Sequence, residues 1–323
     1  MLKIGSLKLE FPCLLAPMAG VSDLPFRLVM RSFGAPFAFT EMIDVNSLCH
    51  KDKRTIRMIS SIPEDRPLGI QLLSNDEEQI AKSFEIINKY AFDLVDFNAA
   101  CPAAKVVRKG KGAALLRDTS RLKKILKTVV QHSEAPVTVK IRTGWDDDSV
   151  NAREVSLYAE DAGVSAICIH GRTKVQGYSG TVNYNAIKGV KHAVNIPVIA
   201  SGDNTSVLQI KRMIDETGCD GVAIARGALG NPWIFRELNR FFKEGIFCET
   251  PNIDERIDVM KIHLQQSIQY WGEKRGVASF HKFFIWYTRG FRGIKPFRDI
   301  VFRISRADEL FNTIESLKFA YLA

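Results

Sequence analysis

The segment from 96 to 118, DFNAACPAAKVVRKGKGAALLRD, places one thiol beside several cations. An apolar run ends at Phe97, and Asn98 and Cys101 follow it directly. The cations just downstream are Lys105, Arg108, Lys109 and Lys111. A thiol at the end of a strand, with cations next to it, suits chemistry on a polyanionic substrate. An isolated free cysteine is more often a small buried apolar residue, so the other polar positions must decide between the two interpretations.

Polar or glycine-containing positions also follow most of the other apolar runs. In chain order they are Pro17, Met18 and Ala19; Glu41 and Met42; Gln71; Lys140 and Arg142; His170 and Arg172; Ser201, Gly202 and Asp203; and Arg226 and Gly227. Polar groups at the ends of buried strands need partners, and a purely structural sheet has little reason to carry them after nearly every strand. The pattern predicts a ligand-binding face at the carboxyl ends of the strands.

Two glycine-containing turns, at 200–203 and 225–227, follow the last two apolar runs. Glycine lets the backbone approach a phosphate closely, and the guanidinium of Arg226 is suited to clamp one. Taken alone, the turns are equally well explained as ordinary turns with a surface arginine. Together with Lys140 and His170 at neighbouring strand ends, they predict a phosphorylated cofactor.

Short apolar runs alternate with amphipathic stretches up to about residue 240, and these elements must position the polar residues. The runs are 13–16, 37–42, 68–72, 93–97, 137–141, 166–169, 197–200 and 221–225. Most are continuously apolar, as strands buried on both faces are. The alternation is typical of an α/β fold of the TIM (β/α)8 barrel type. An open doubly wound sheet alternates in the same way, but the G-x-G-x-x-G turn of a Rossmann sheet is missing.

Helical patterns dominate after residue 240, at 253–271, 277–289 and 307–320. We therefore expect a catalytic barrel at 1–240 and a small helical domain at 241–323. Between Lys274 and Arg306 lie nine cations and one carboxylate, Asp299, with aromatic residues interleaved. Cations follow phosphates and aromatic rings stack on bases, so this domain is predicted to bind RNA. Rings at helical spacing also build helical cores, which is the alternative for positions such as Phe283 and Trp286.

The net charge, the cysteine spacing and the length of the apolar runs indicate which classes of partner and compartment the protein has. The net charge of +9 favours nucleic acid, an acidic membrane surface or a phosphorylated ligand. The six cysteines are scattered, which predicts a reducing cytosol and no disulfide framework, and the lack of a C-x-x-C pair predicts no metal site. No apolar run approaches the roughly 18 residues of a membrane-spanning helix, and the alternating N-terminus resembles a hairpin strand rather than a signal peptide. We expect a cytoplasmic monomer.

Several motifs resemble those of the tRNA-dihydrouridine synthase family. Residues 16–27, APMAGVSDLPFR, resemble the opening signature of that family, and NAACP at 98–102 resembles its active-site motif. VKIR at 139–142 and HGRT at 170–173 resemble its flavin and substrate segments. IASGD at 199–203 and ARGA at 225–228 resemble its phosphate-end motifs. Their order and spacing run through most of the chain, and the bacterial B branch looks most similar.

The resemblance implies an FMN-binding barrel and a helical tRNA-binding domain that reduce D-loop uridines to 5,6-dihydrouridine at the expense of NADPH. It implies that Cys101 is the general acid. The implied cofactor-binding residues are Pro17, Met18, Ala19, Gln71, Lys140, His170, Ser201, Gly202, Asp203, Ala225 and Arg226. The implied substrate-binding residues are Asn98, Lys105, Arg142 and Arg172.

Reduction of the uracil C5–C6 bond requires a hydride at one carbon and a proton at the other. No side chain supplies a hydride, so a cofactor must do so. A thiol of ordinary pKa, about 8.5, is mostly protonated at neutral pH and can act as the acid. A neighbouring cation lowers the pKa of a thiol, so we expect Lys105 to face RNA phosphate rather than Cys101. The target base must leave its stack, which implies base flipping.

The chain departs from the family pattern at three places. Ala99 and Ala100 stand where the family usually has Met-Gly, and the loss of glycine restricts the loop backbone. Ala104 replaces the first of two lysines, and Ser201 stands where asparagine is common. None of these changes removes a reacting group.

Three other functions remain open from the sequence. A flavin ene-reductase or dihydroorotate-type enzyme for a small molecule explains the barrel but not the basic helical region. A tRNA-binding module without catalysis conflicts with the presence of Cys101, Lys140 and His170. An aldolase or lyase that uses Lys140 as a Schiff base would need a lysine of depressed pKa and no flavin.

Overall fold

The computed structural model describes residues 1–322. A two-stranded antiparallel hairpin comes first, and eight parallel strands then close into a barrel in the order β10-β3-β4-β5-β6-β7-β8-β9. The strands are β1 Leu2–Ile4, β2 Leu7–Leu9, β3 Cys13–Leu15, β4 Ala38–Asp44, β5 Leu68–Leu73, β6 Leu94–Asn98, β7 Val137–Arg142, β8 Ala166–His170, β9 Val198–Ser201 and β10 Gly221–Ile224. The predicted TIM barrel is confirmed, and the open sheet is excluded because β10 pairs with both β3 and β9.

The barrel strands form where the sequence is continuously apolar. All six residues of β5 and all five of β8 are buried, as expected for parallel strands with a filled barrel on one side and helices on the other. The hairpin closes the amino-terminal end, where Leu2, Ile4 and Leu9 join a buried cluster with Phe37 and Phe39. The opposite end, at the carboxyl termini of the strands, carries the predicted site residues.

Helices alternate with the strands and continue beyond them. The first nine are α1 Leu24–Ser32, α2 Val45–Cys49, α3 Lys53–Ile59, α4 Glu77–Ile87, α5 Ala104–Val107, α6 Thr119–His132, α7 Ala152–Asp161, α8 Tyr184–Lys191 and α9 Val207–Thr217. The remainder are α10 Trp233–Glu244, α11 Ile253–Trp271, α12 Glu273–Tyr287, α13 Lys295–Val301 and α14 Ala307–Leu322. Aspartate caps fix two helix starts, since Asp76 accepts from the Gln79 amide and Asp118 from the Arg121 amide.

The chain divides into two compact units. The first comprises 1–23 and 36–225, and the second comprises 24–35 with 226–323, of which the final residue lies outside the described part. The first helix of the barrel sequence, α1, thus groups with the C-terminal helices. The functional division that we predict at residues 240 and 241 stays a prediction.

The second unit has an aromatic core. Phe26 of α1 stacks on Phe283 of α12, with ring centroids 5.6 Å apart, and Phe280, Phe284 and Tyr287 are buried beside them. These rings form a helical core and are not available for stacking on bases. Phe302, in contrast, is 61% exposed.

None of the helices described is long and apolar enough to cross a membrane.

Candidate active site

Asp96 lies in the middle of β6, and its buried carboxyl group anchors a chain of hydrogen bonds. Gln71 donates from Nε2 to Asp96 Oδ2 (2.7 Å), and Thr138 donates from Oγ1 to Oδ1 (2.6 Å). Asn98 donates from Nδ2 to Gln71 Oε1 (2.8 Å). Burial raises the pKa of Asp96 to about 6, although the bonds from Thr138 and Gln71 oppose the rise. These hydrogen bonds fix the side-chain amides of Gln71 and Asn98 near the carboxyl end of the barrel.

Asn98 also holds the backbone at Cys101. Its Oδ1 accepts from the Ala100 amide (3.0 Å) and from the Cys101 amide (2.9 Å). The Cys101 carbonyl accepts from the Ala113 amide (3.1 Å). Gly112 makes this approach possible, because a Cβ there would lie 2.8 Å from the Cys101 carbonyl oxygen. The half-exposed thiol is therefore carried on a loop whose backbone is fixed from both sides.

The alanines before Cys101 fit the loop without strain. Ala99 and Ala100 are buried. Neither is among the residues of positive φ, which in this region are Gly110 and Gly112. Because the loop needs no left-handed conformation at 99 or 100, the absence of the usual glycine leaves its path intact.

Lys140 extends from β7, and its ammonium group is buried. It pairs in register with Asn98 of β6 and Cys168 of β8. Within residues 1–322, Lys140 Nζ has no oxygen or nitrogen acceptor, and the polar group that it faces is the Cys168 thiol. Burial, assisted by the charge of Arg142, lowers the pKa of Lys140, while the neighbouring Cys168 thiol and Asp96 carboxyl group oppose this shift. A buried amine without such an acceptor is costly, and such groups are typical of functional sites.

Arg142, at the end of β7, is buried and bound to carbonyl groups. Its Nε donates to the Ala100 carbonyl (2.8 Å), and its Nη1 donates to the carbonyls of Thr173 and Gly177 (both 2.8 Å). The guanidinium carbon lies 5.5 Å from the ring centroid of Tyr178. Arg142 thus joins the Cys101 loop to the loop that follows β8.

Arg172 binds the same β8 loop from its other side. Its Nη2 donates to the Gly180 carbonyl (2.7 Å) and its Nε to that of Ser179 (2.9 Å). It also forms a two-point ion pair with Asp203, at 3.1 and 2.5 Å. Both arginines are only 2% exposed, so the contacts found for these predicted substrate-binding residues are to the protein itself.

His170 and the Ser201–Gly202 turn lie at the ends of β8 and β9. His170 Nδ1 is 3.4 Å from Ser201 Oγ, and its ring lies edge-on to Tyr178, with centroids 6.1 Å apart. Gly202 has φ +124°, and a Cβ there would lie 2.9 Å from a Val182 methyl group. The turn is therefore closed to larger residues.

The remaining predicted residues lie in the turn after β3, on α5 and directly after β10. Ser22 Oγ accepts from the Met18 amide (2.9 Å), which fixes the turn after β3 that contains Pro17 and Ala19. Lys105 is exposed on α5. Ala225 follows β10 directly, and Arg226 begins the next short turn, in the second unit.

Asp96, Thr138 and Ser22 were not predicted as site residues from the sequence. A signal for Asp96 existed, because a carboxylate inside the apolar run LVDFN requires buried partners. Thr138 carried no such signal, since threonine is common in strands.

The chain is similar over most of its length to proteins of one family. The family model described as dihydrouridine synthase (Dus) matches residues 14–321. The tRNA-dihydrouridine synthase B of Pasteurella multocida is 38% identical over 298 residues, which are 92% of this chain and 90% of that protein. The tRNA-dihydrouridine synthase B of Pseudomonas aeruginosa is 37% identical over 308 residues, covering 95% and 92%.

Solved structures resemble the barrel. Morphinone reductase superposes with a TM-score of 0.55 at 12% identity, over 79% of this chain and 92% of that one. The 6-hydroxypseudooxynicotine amine oxidase of Pseudomonas geniculata gives a TM-score of 0.60 at 13% identity, over 76% and 49%. At these identities the likeness is one of fold.

Proposed function

Since the chain belongs to the dihydrouridine synthase family, in its bacterial B branch, we propose that it reduces specific D-loop uridines of tRNA to 5,6-dihydrouridine. The chain matches nearly the full length of relatives that are named tRNA-dihydrouridine synthase B, and this supports tRNA as the substrate. The cofactor is a flavin, which we assign as FMN, and NADPH is the reductant.

The residues at the carboxyl end of the barrel fit a phosphorylated flavin. Lys140 presents a buried amine without an oxygen or nitrogen acceptor among the described residues, which suits an electron-rich ring that gains negative charge. Gln71, with an amide fixed by Asp96 and Asn98, would bind the ring beside it. The other residues that would hold FMN are Pro17, Met18, Ala19, His170, Ser201, Gly202, Asp203, Ala225 and Arg226.

The hydride for the uracil ring would come from a flavin held by these residues, with NADPH as the source of its electrons. The chain itself supplies the proton, from the thiol of Cys101. Asn98 holds the Cys101 backbone and Gln71 at once, so the acid and the predicted flavin-binding amide share one rigid support. This shared support is the observation that carries the proposal, because proton and hydride must reach adjacent carbons of one ring.

Substrate binding divides between the barrel face and the helical region. Lys105 is exposed and is assigned to RNA phosphate, away from the thiol. Asn98 is assigned to the uracil, and Arg142 and Arg172 support the loops around it through their carbonyl contacts. Residues 241–323, with their exposed cations, are assigned to tRNA.

The test combines an absorption spectrum with turnover of unmodified tRNA. We expect purified wild type to carry a flavin and to form dihydrouridine, and Cys101→Ala to lose about 10²-fold or more of the rate while it keeps the flavin. Cys49→Ala is the matched control, because Cys49 is also half-exposed but lies on α2. A flavin protein inactive on tRNA would point instead to a small-molecule reductase. A protein that binds no flavin would exclude both.

A further inference from the structure

Trp145 holds two cations over its ring at the rim of the barrel face. The guanidinium carbon of Arg117 lies 4.7 Å from the ring centroid, and Lys174 Nζ lies 4.4 Å from it. The three residues come from different segments: the short turn before α6, the loop after β7 and the loop after β8. Each distance is within the range of a cation–π interaction. The indole thus fixes the positions of two like charges.

Backbone contacts make this arrangement rigid. The amides of Lys174 and Val175 donate to the carbonyls of Gly144 (3.0 Å) and Trp145 (2.9 Å). Asn151 Nδ2 donates to the Leu116 carbonyl (2.7 Å), which ties the loop after β7 to the turn that ends at Arg117. These contacts fix the three backbone segments from which Arg117, Trp145 and Lys174 extend, and the cation–π contacts then order the two charged side chains.

The charges of this pair are not neutralised. Neither Arg117 nor Lys174 forms a salt bridge with any residue from 1 to 322. An aromatic ring orders a cation without cancelling its charge. The carboxylates that line the same cleft as Arg117 and Trp145 are those of Asp146 and Asp148, and Asp146 accepts from Ser149 Oγ (2.5 Å). This cleft is open and has a volume of about 500 Å³.

The segments that carry the two cations also contact the Cys101 loop. The Ala113 amide, in the turn that ends at Arg117, donates to the Cys101 carbonyl (3.1 Å). Arg142 joins the carbonyl of Thr173, the residue before Lys174, to that of Ala100 (both 2.8 Å). An anion bound over Trp145 would therefore be positioned relative to the thiol.

We propose that Arg117 and Lys174, held over Trp145, bind the phosphodiester backbone of the RNA substrate beside the nucleotide that enters the active site. The inference rests on the proposed function, which supplies the RNA. A flipped base brings its flanking phosphates to the rim of the face, and fixed cations there stabilise the distorted backbone. The indole holds cations over its ring, so it serves as their support and does not stack on a base.

The test is the salt dependence of tRNA binding, measured by fluorescence anisotropy on full-length protein and unmodified tRNA. Arg117→Ala and Lys174→Ala should each raise Kd about 3- to 10-fold and reduce the slope of log K against log salt by roughly 0.9. Trp145→Leu should also raise Kd although it changes no charge. Asp148→Asn should lower Kd. The control is Arg153→Ala, which removes an exposed cation on α7.

The outcomes separate this site from the proposed function. If wild type forms dihydrouridine but Arg117→Ala, Lys174→Ala and Trp145→Leu keep the Kd and salt slope of wild type, the phosphodiester site is wrong and the proposed function stands. If the variants lose RNA affinity but wild type forms no dihydrouridine, the site stands and the function is wrong. Variants that raise the KM for NADPH without changing tRNA binding would assign the cations to the nicotinamide cofactor and overturn the proposal.

Discussion

Burial of a charged side chain at the barrel face costs free energy that the folded protein alone does not recover. Lys140 keeps an ammonium group out of water without an oxygen or nitrogen acceptor among the described residues, whereas the buried carboxyl group of Asp96 accepts hydrogen bonds from Gln71 and Thr138. Desolvation of such groups costs several kcal/mol unless they are paired. We infer that the cost is offset when the cofactor binds.

Lys140→Met tests this inference. Because methionine fills a similar volume without a charge, we expect the flavin-free protein to be more stable, by roughly 1 kcal/mol. The dissociation constant for FMN should rise about 10-fold or more, since a hydrogen bond from a charged donor is removed. Thermal unfolding and fluorescence titration measure the two effects. Lys8→Met, on the exposed hairpin, should change neither. A less stable protein with unchanged FMN affinity would contradict the inference.

The burial of His263 makes the stability of the folded chain depend on pH. It is fully buried among aromatic rings, and Tyr287 OH lies 3.1 Å from its Nδ1. Burial, assisted by the charge of Lys282, lowers its pKa from 6.5 to about 3. Between these values the unfolded chain binds a proton that the folded chain does not, so stability falls as pH falls, by up to about 1.4 kcal/mol per pH unit.

A double variant isolates this contribution. His263→Phe with Tyr287→Phe removes the titrating ring without leaving a buried hydroxyl unpaired. We expect the melting temperature of wild type to fall more steeply than that of the variant between pH 6.5 and 5. Parallel curves would show that His263 does not govern this part of the pH profile.

Among the elements, the strands were the most predictable part of the fold. Continuous apolar runs predicted all eight barrel strands, and their bounds agree within a few residues, as for β5 at Leu68–Leu73. The loops were not predictable, because their contacts join positions far apart in sequence. The sequence predicted that Arg142 and Arg172 would meet the ligands, but could not reveal that both hold the loop after β8.

The turn before α10 offers a test at the level of an element. Gly230 has φ +67°, and a Cβ there would lie 2.3 Å from the Trp286 carbonyl carbon of α12. Gly245, at the end of α10, has φ +72° with nothing within 4 Å. Left-handed backbone costs an alanine roughly 1–2 kcal/mol, and overlap with a backbone adds to it. We expect Gly230→Ala to cost about 3 kcal/mol or more and Gly245→Ala about 1 kcal/mol in thermal unfolding. Equal costs would contradict the role of the close approach.

For the whole molecule, composition indicated the partner better than the details of its binding. The net charge of +9 and the cations after Lys274 predicted RNA, and membership of the family supports that partner. The interleaved aromatic residues were less informative, because Phe280 and Phe283 belong to the core. Sequence spacing does not distinguish an exposed ring from a buried one when both lie on helices.

The helical region should control tRNA affinity without controlling chemistry. Arg289, Arg292 and Lys295 are exposed and form no salt bridge within residues 1–322. Replacing all three by alanine in the full chain should raise the KM for tRNA about 10-fold or more and reduce the salt slope by roughly 0.9 for each phosphate that the variant no longer binds. The kcat at saturating tRNA should persist, because Cys101 and its support are untouched.

A control of equal charge distinguishes a binding surface from a general effect of net charge. Replacing the exposed lysines Lys3, Lys8 and Lys53 of the first unit by alanine removes the same three charges. If long-range attraction dominates, both triple variants should weaken tRNA binding equally. If the helical region binds phosphates directly, only its own variant should lower the salt slope substantially. Equal slopes would refute the assignment of residues 241–323 to tRNA.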